Sequence, residues 1–111
     1  MSFVYVFFGG GLGAAARHAV ALGLPSPWAT QVVNVLGSLF LGYLLARGVD
    51  GPTRHVLATG FCGGFTTYST FNAETLNLAQ SGDWAVALAN IGITFVVCIM
   101  AGALGMWWGR Q

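Results

Sequence analysis

Charged positions divide the chain into long apolar stretches. No Asp, Glu, Lys or Arg occurs in Met1 to Ala16, His18 to Ala46, His55 to Ala73 or Trp84 to Gly109. A helix that crosses the hydrocarbon core of a bilayer needs about 20 such residues. The second stretch is too long for one helix and contains Gly23, Pro25, Ser26 and Pro27, a turn cluster that divides it. The pattern predicts four helices, over residues 3 to 23, 28 to 46, 54 to 80 and 84 to 108. The connections LPSP, RGVDGPTR and QSGD leave no room for a further domain, so residues 1 to 111 read as one unit with successive helices antiparallel. Trp28 and Trp84 open the second and fourth helices, and Trp107 and Trp108 close the fourth. Interfacial aromatic belts put tryptophan at such positions.

Composition points the same way. The chain is 56% apolar and 6% charged, with 17 glycines and a mean hydropathy of +0.73. A soluble domain carries roughly 25% charged residues, so this one reads as an all-α integral membrane protein. Soluble-enzyme, nucleic-acid-binding and disordered classes are excluded. Cys62 and Cys98 lie in apolar runs without metal-ligand or disulfide spacing. Ala14-Ala15-Ala16 looks like a signal cleavage site, yet the N-terminus has no basic region and a long apolar chain follows, so no cleavage is expected. Arg47, Arg54 and Arg110 fall on the side of the N-terminus and Arg17 near the other, a slight bias toward cytoplasmic termini.

Polar side chains inside spans are costly unless they find partners or line a hydrated path. In the second helix Thr30, Asn34 and Ser38 recur at i, i+4 and i+8, which is one face. Asn90, Thr94 and Cys98 repeat the spacing in the fourth. Such stripes serve either as hydrogen-bonded helix contacts or as a track for a polar solute. Neither contains a carboxylate or a basic residue, so no proton relay is encoded there.

The third helix carries Gly60-Phe61-Cys62-Gly63-Gly64-Phe65-Thr66-Thr67-Tyr68-Ser69-Thr70-Phe71. Each glycine weakens a helix by about 1 kcal/mol relative to alanine, so a break in the middle of the span is expected. Unwound carbonyls at such breaks can coordinate a cation. A glycine-lined crossing of two helices fits the same composition. Tyr68 and Phe71, three apart, share a face after the break; they are either core or ring edges turned to an anion, since aromatic edges are electropositive. Arg17 follows the small-residue run Gly9 to Ala14 and either snorkels to the headgroups or faces an aqueous vestibule. Glu74 is the one carboxylate that falls within a span.

Gly10-Gly11-x-x-Ala14-x-x-Arg17, Thr30-x-x-x-Asn34-x-x-Gly37-Ser38 and Gly63-Gly64-x-Thr66-Thr67-Tyr68-Ser69-Thr70-Phe71-x-x-Glu74 together resemble the Fluc (CrcB) fluoride channels across nearly the whole chain. The resemblance implies an antiparallel, dual-topology homodimer in the bacterial inner membrane. Two pores would export fluoride passively and lower its cytoplasmic concentration. It implies a structural Na+ at the dimer centre on main-chain oxygens of Gly63 and Thr66, and a pore lined by Asn34, Tyr68 and Phe71 with Thr30. A fourth-helix track of Asn90, Thr94 and Cys98 and a vestibule arginine at Arg17 complete it, and Ser38 extends the second-helix face. Tyr68 stands where the family usually has phenylalanine, Asn90 where tyrosine is common, Thr94 where serine is and His18 where an aromatic is frequent.

Two other functions fit a chain of this size. A proton-coupled small multidrug exporter needs an ionisable residue in mid-span, typically a carboxylate in the first helix, and Met1 to Ala16 contains none. A non-transporting membrane anchor subunit accounts for the glycines but not for the polar stripes. No catalytic constellation is present, because His18 and His55 each lack a neighbouring nucleophile or carboxylate.

Overall fold

The computed structural model describes residues 1–111, and every regular element is helical. Helix α1 spans Ser2–Gly23 and α2 spans Trp28–Ala46. The third segment starts with α3 (Gly51–Thr53), widens into a π-helical stretch over Arg54–Cys62 and closes with α4 (Gly63–Phe65). After three non-helical residues the chain resumes as α5 (Ser69–Gln80). Helix α6 spans Trp84–Gly109. Its 26 residues rise about 39 Å. By length and composition α2 and α6 are able to cross a membrane.

The surface is far more apolar than that of a water-soluble domain, and polar side chains share the interior with apolar ones. Phe3, Phe7 and Phe8 on α1 and Ile99 and Met100 on α6 are exposed, whereas Thr30, Thr75, Asn90 and Thr94 are buried. An apolar surrounding medium favours that arrangement, because polar groups must then find partners inside. The family of contacts is equally characteristic. Helix α2 packs along α6, α1 along the π stretch and α4, and α5 against α6.

Small residues set the closeness of these contacts. A Cβ at Gly13 would collide with the Phe61 carbonyl, and one at Gly105 with the Leu39 carbonyl. Main chains therefore touch directly, which replaces the hydrophobic driving force that lipid does not supply.

The third segment departs from the expected boundaries. It becomes helical at Gly51 rather than at residue 54. Gly51 turns the chain at φ +61°, a value open to glycine, and Pro52 follows in the first turn, where its missing N–H costs nothing. The π register over Arg54–Cys62 has no signature in the residue pattern.

Candidate functional site

A cleft of about 420 Å³ runs down one flank of the molecule between α2, the third segment and α6. Asn34, Ser38, Gly63, Thr66, Tyr68, Phe71, Thr94 and Cys98 line it, with apolar Leu41, Phe95 and Ile99 beside them. It contains no charged side chain. The cleft can hold a small polar solute through neutral donors, without a fixed charge that would trap an ion.

The cleft exists because the helix stops at its wall. Thr66 is extended, with φ −82° and ψ 157°, and its N–H and hydroxyl both donate to the Cys62 carbonyl, at 3.0 and 2.9 Å. Asn34 then takes both polar groups of the next residue. Its Nδ2 donates to the Thr67 carbonyl at 3.1 Å and its Oδ1 accepts from the Thr67 N–H at 2.7 Å. The Thr67 hydroxyl accepts from the Thr70 N–H at 3.2 Å, which starts α5. A break inside an apolar chain must satisfy its main-chain groups, and Asn34 does so for Thr67 from the facing helix.

No backbone N–H of the break donates to the carbonyls of Gly63 or Thr66, and both residues line the cleft. The aromatic pair beside them is unequal. Tyr68 is 71% exposed and Phe71 is 6% exposed, with ring centroids 5.8 Å apart and planes inclined by 52°.

Arg17 lies elsewhere. It lines a second pocket of about 100 Å³ with His18, Thr30, Thr67 and Thr70. Its Nε donates to the Gly64 carbonyl at 3.0 Å, so the guanidinium is tied to the C-terminal end of α4, where cations are favoured. Thr67 is the one residue that lines both cavities.

The two polar stripes do not bond to one another. Thr30 donates to Glu74 Oε2 at 3.0 Å, and Ser26 also donates to that oxygen, while Glu74 Oε1 is buried without a partner. Asn90 and Thr94 are held instead by Gln31, whose Nε2 lies 2.9 Å from Asn90 Oδ1 and 2.5 Å from Thr94 Oγ1. Asn90 Nδ2 donates to Thr75 Oγ1 at 3.0 Å. Of the expected site residues, Thr30, Asn90 and Arg17 are thus outside the cleft. Sequence reasoning missed Gln31 and Thr75, and it named Thr67 only as part of the Gly-Gly-x-Thr-Thr run. The signal for Gln31 was available, since it sits three residues before Asn34 and seven before Ser38 on one helical face.

Comparison with known proteins places this membrane-type helical architecture in a family. The pattern described as "CrcB-like protein, Camphor Resistance (CrcB)" matches residues 4–106, and the chain belongs to that family. Among its relatives is a protein of Sorangium cellulosum named "Fluoride-specific ion channel FluC", 44% identical over 96% of this chain and 93% of the relative. Proteins of the same name from Magnetococcus marinus and Opitutus terrae are each 40% identical. The first alignment covers 99% of this chain and 98% of the relative, the second 93% and 88%.

Proposed function

We propose that this chain is a fluoride-selective channel that lets fluoride leave the cytoplasm passively, and that it is no enzyme. The observation that carries the reading is the uncharged cleft beside the helix break, a mostly apolar passage into which Asn34, Ser38 and Thr94 bring isolated polar groups, in a chain 44% identical to a fluoride-specific channel. Fluoride is small and tightly hydrated, so a selective path must replace its water with donors while excluding larger anions. Asn34 supplies one: an amide nitrogen carries two hydrogens, and only one is used on Thr67. The edges of Phe71 and Tyr68 supply positive rims. The Tyr68 hydroxyl adds a donor, and Ser38 and Thr94 continue the lining.

The same reading gives the chain four spans, α1, α2, the broken segment 51–80 and α6, in the bacterial inner membrane. Two antiparallel copies form the channel, with one fluoride path per copy. Exposure of Tyr68 beside a buried Phe71 supports this, because a second copy would cover the open side of the cleft. The three-to-one split of arginines is small enough for insertion in both directions.

The donor set of the break fits a structural Na+. Gly63 and Thr66 offer main-chain oxygens without backbone partners, and hard carbonyl oxygens at an unwound span suit that ion. When bound, the ion would join the two copies at their breaks. Thr66, tied to Cys62 through its own N–H and hydroxyl, keeps its carbonyl free for that contact.

The test is anion efflux from liposomes that contain the purified chain, with potassium current supplied by valinomycin. Release of fluoride but not chloride is expected. Absence of fluoride release, or equal release of both, overturns the reading.

A further inference from the structure

Gln31 stands behind the cleft rather than in it, yet it determines which way the hydrogen bonds around the cleft run. The series of bonds begins at the Phe71 carbonyl, which can only accept. Thr75 Oγ1 lies 2.9 Å from it and must donate. With that hydrogen committed, the Thr75 oxygen accepts from Asn90, 3.0 Å away, so the nitrogen end of the Asn90 amide faces Thr75. The Asn90 oxygen then faces Gln31 at 2.9 Å and requires a donor, so the Gln31 amide presents its nitrogen. That same nitrogen lies 2.5 Å from Thr94 Oγ1. The orientation of every group is fixed by its neighbour, back to one carbonyl.

The consequence falls on Thr94. Its oxygen accepts from Gln31, so its own hydrogen is left to donate. Thr66, Thr75 and Ser81 each spend theirs on a carbonyl four residues earlier. Thr94 makes no such bond and lines the cleft. We infer that Gln31 is a positioning residue for anion passage: by donating to Thr94 it holds the Thr94 hydroxyl hydrogen toward the cleft, where it serves a small anion. This inference rests on the channel reading above. It deepens that reading by assigning a specificity role to a residue that does not touch the ion.

The geometry makes the role separable from packing. Methionine has nearly the shape of glutamine and no donors. In Gln31→Met the Thr94 hydroxyl loses the bond that orients it and turns to the Asn90 carbonyl one turn back, as Ser and Thr do within helices. The cleft loses one donor, and Asn90 Oδ1 loses its partner as well, a loss that the Thr94→Val background separates from the effect on the hydroxyl.

The experiment compares wild type, Gln31→Met, Thr94→Val and the double variant in proteoliposomes, reading fluoride and chloride efflux, with elution volume in detergent as the check on folding. Gln31→Met is expected to slow fluoride efflux about tenfold, as loss of one hydrogen bond to an ion predicts, and to lower the fluoride-to-chloride ratio. Thr94→Val is expected to do the same, and the double variant to be no slower than Thr94→Val alone. Undiminished efflux in Gln31→Met, or additive losses in the double variant, overturns the inference while wild-type efflux leaves the channel reading standing. If Gln31→Met elutes as misfolded protein, Gln31→Glu is decisive. A carboxylate there accepts the Thr94 hydrogen and must abolish efflux, and retained efflux refutes the role. Loss of fluoride efflux in wild type would strike the channel reading itself.

Discussion

The side-chain amide of Asn34 pairs with both main-chain groups of Thr67, at 3.1 and 2.7 Å. One side chain on α2 thereby satisfies both main-chain groups of the residue that follows the helix end at Thr66. Thr67 also forms the wall common to the large cleft and the Arg17 pocket. Asn34 thus braces the partition between the two cavities and still has a hydrogen to offer the cleft.

Removing that brace destabilises the protein. Asn34→Ala leaves a main-chain donor and acceptor without partners, at a cost of about 1–3 kcal/mol for each orphaned group. Asn34→Asp keeps the acceptor but turns an oxygen toward the Thr67 carbonyl. Both variants are expected to unfold at lower denaturant than wild type, followed by loss of the folded elution peak. Unchanged midpoints in both would show that the pairing contributes nothing.

Neighbouring glycines on α1 are expected to behave in opposite ways. A Cβ at Gly13 meets the Phe61 carbonyl, whereas one at Gly11 meets nothing within 4 Å. Gly13→Ala should force α1 away from the third segment and reduce the yield of folded protein. Gly11→Ala should be neutral or stabilising by up to about 1 kcal/mol, since alanine favours helix. Equal behaviour of the two variants would contradict the close packing of α1.

Much of this was legible in the sequence because lipid-facing chains advertise their helix ends. The charge-free stretches and Trp28 and Trp84 place α2 at 28–46 and the start of α6 at 84, as observed. The glycine and threonine content around residue 66 marked where regular helix is least favoured. Partner choice was less accessible. Periodicity puts Thr30, Asn34 and Ser38 on one face, but they meet Glu74, Thr67 and the cleft in turn, because the third segment bends away beside them. The spacing leaves Arg17 open between the headgroups and a vestibule, and its bond to the Gly64 carbonyl depends on α1 lying against α4. The π register from Arg54 to Cys62 leaves no trace in spacing.

Sodium supplies a separate check. If the Gly63 and Thr66 carbonyls hold the ion in the folded dimer, ligand linkage stabilises that state by about 2.7 kcal/mol at a hundredfold excess over the dissociation constant. Purification in N-methylglucamine in place of sodium should lower the thermal midpoint, and returning sodium should restore it. A midpoint independent of sodium would contradict the assignment.

The central claim is that the broken third segment presents its aromatic pair to a passing fluoride. The most direct measurement is the fluoride-electrode trace from liposomes that hold wild type or Phe71→Ile at equal protein density. Isoleucine fills the space without an electropositive ring edge. The account predicts brisk fluoride release by wild type and a rate lower by at least about tenfold, or 1.4 kcal/mol in barrier, for the variant. Equal traces, with both proteins eluting as folded, would contradict it.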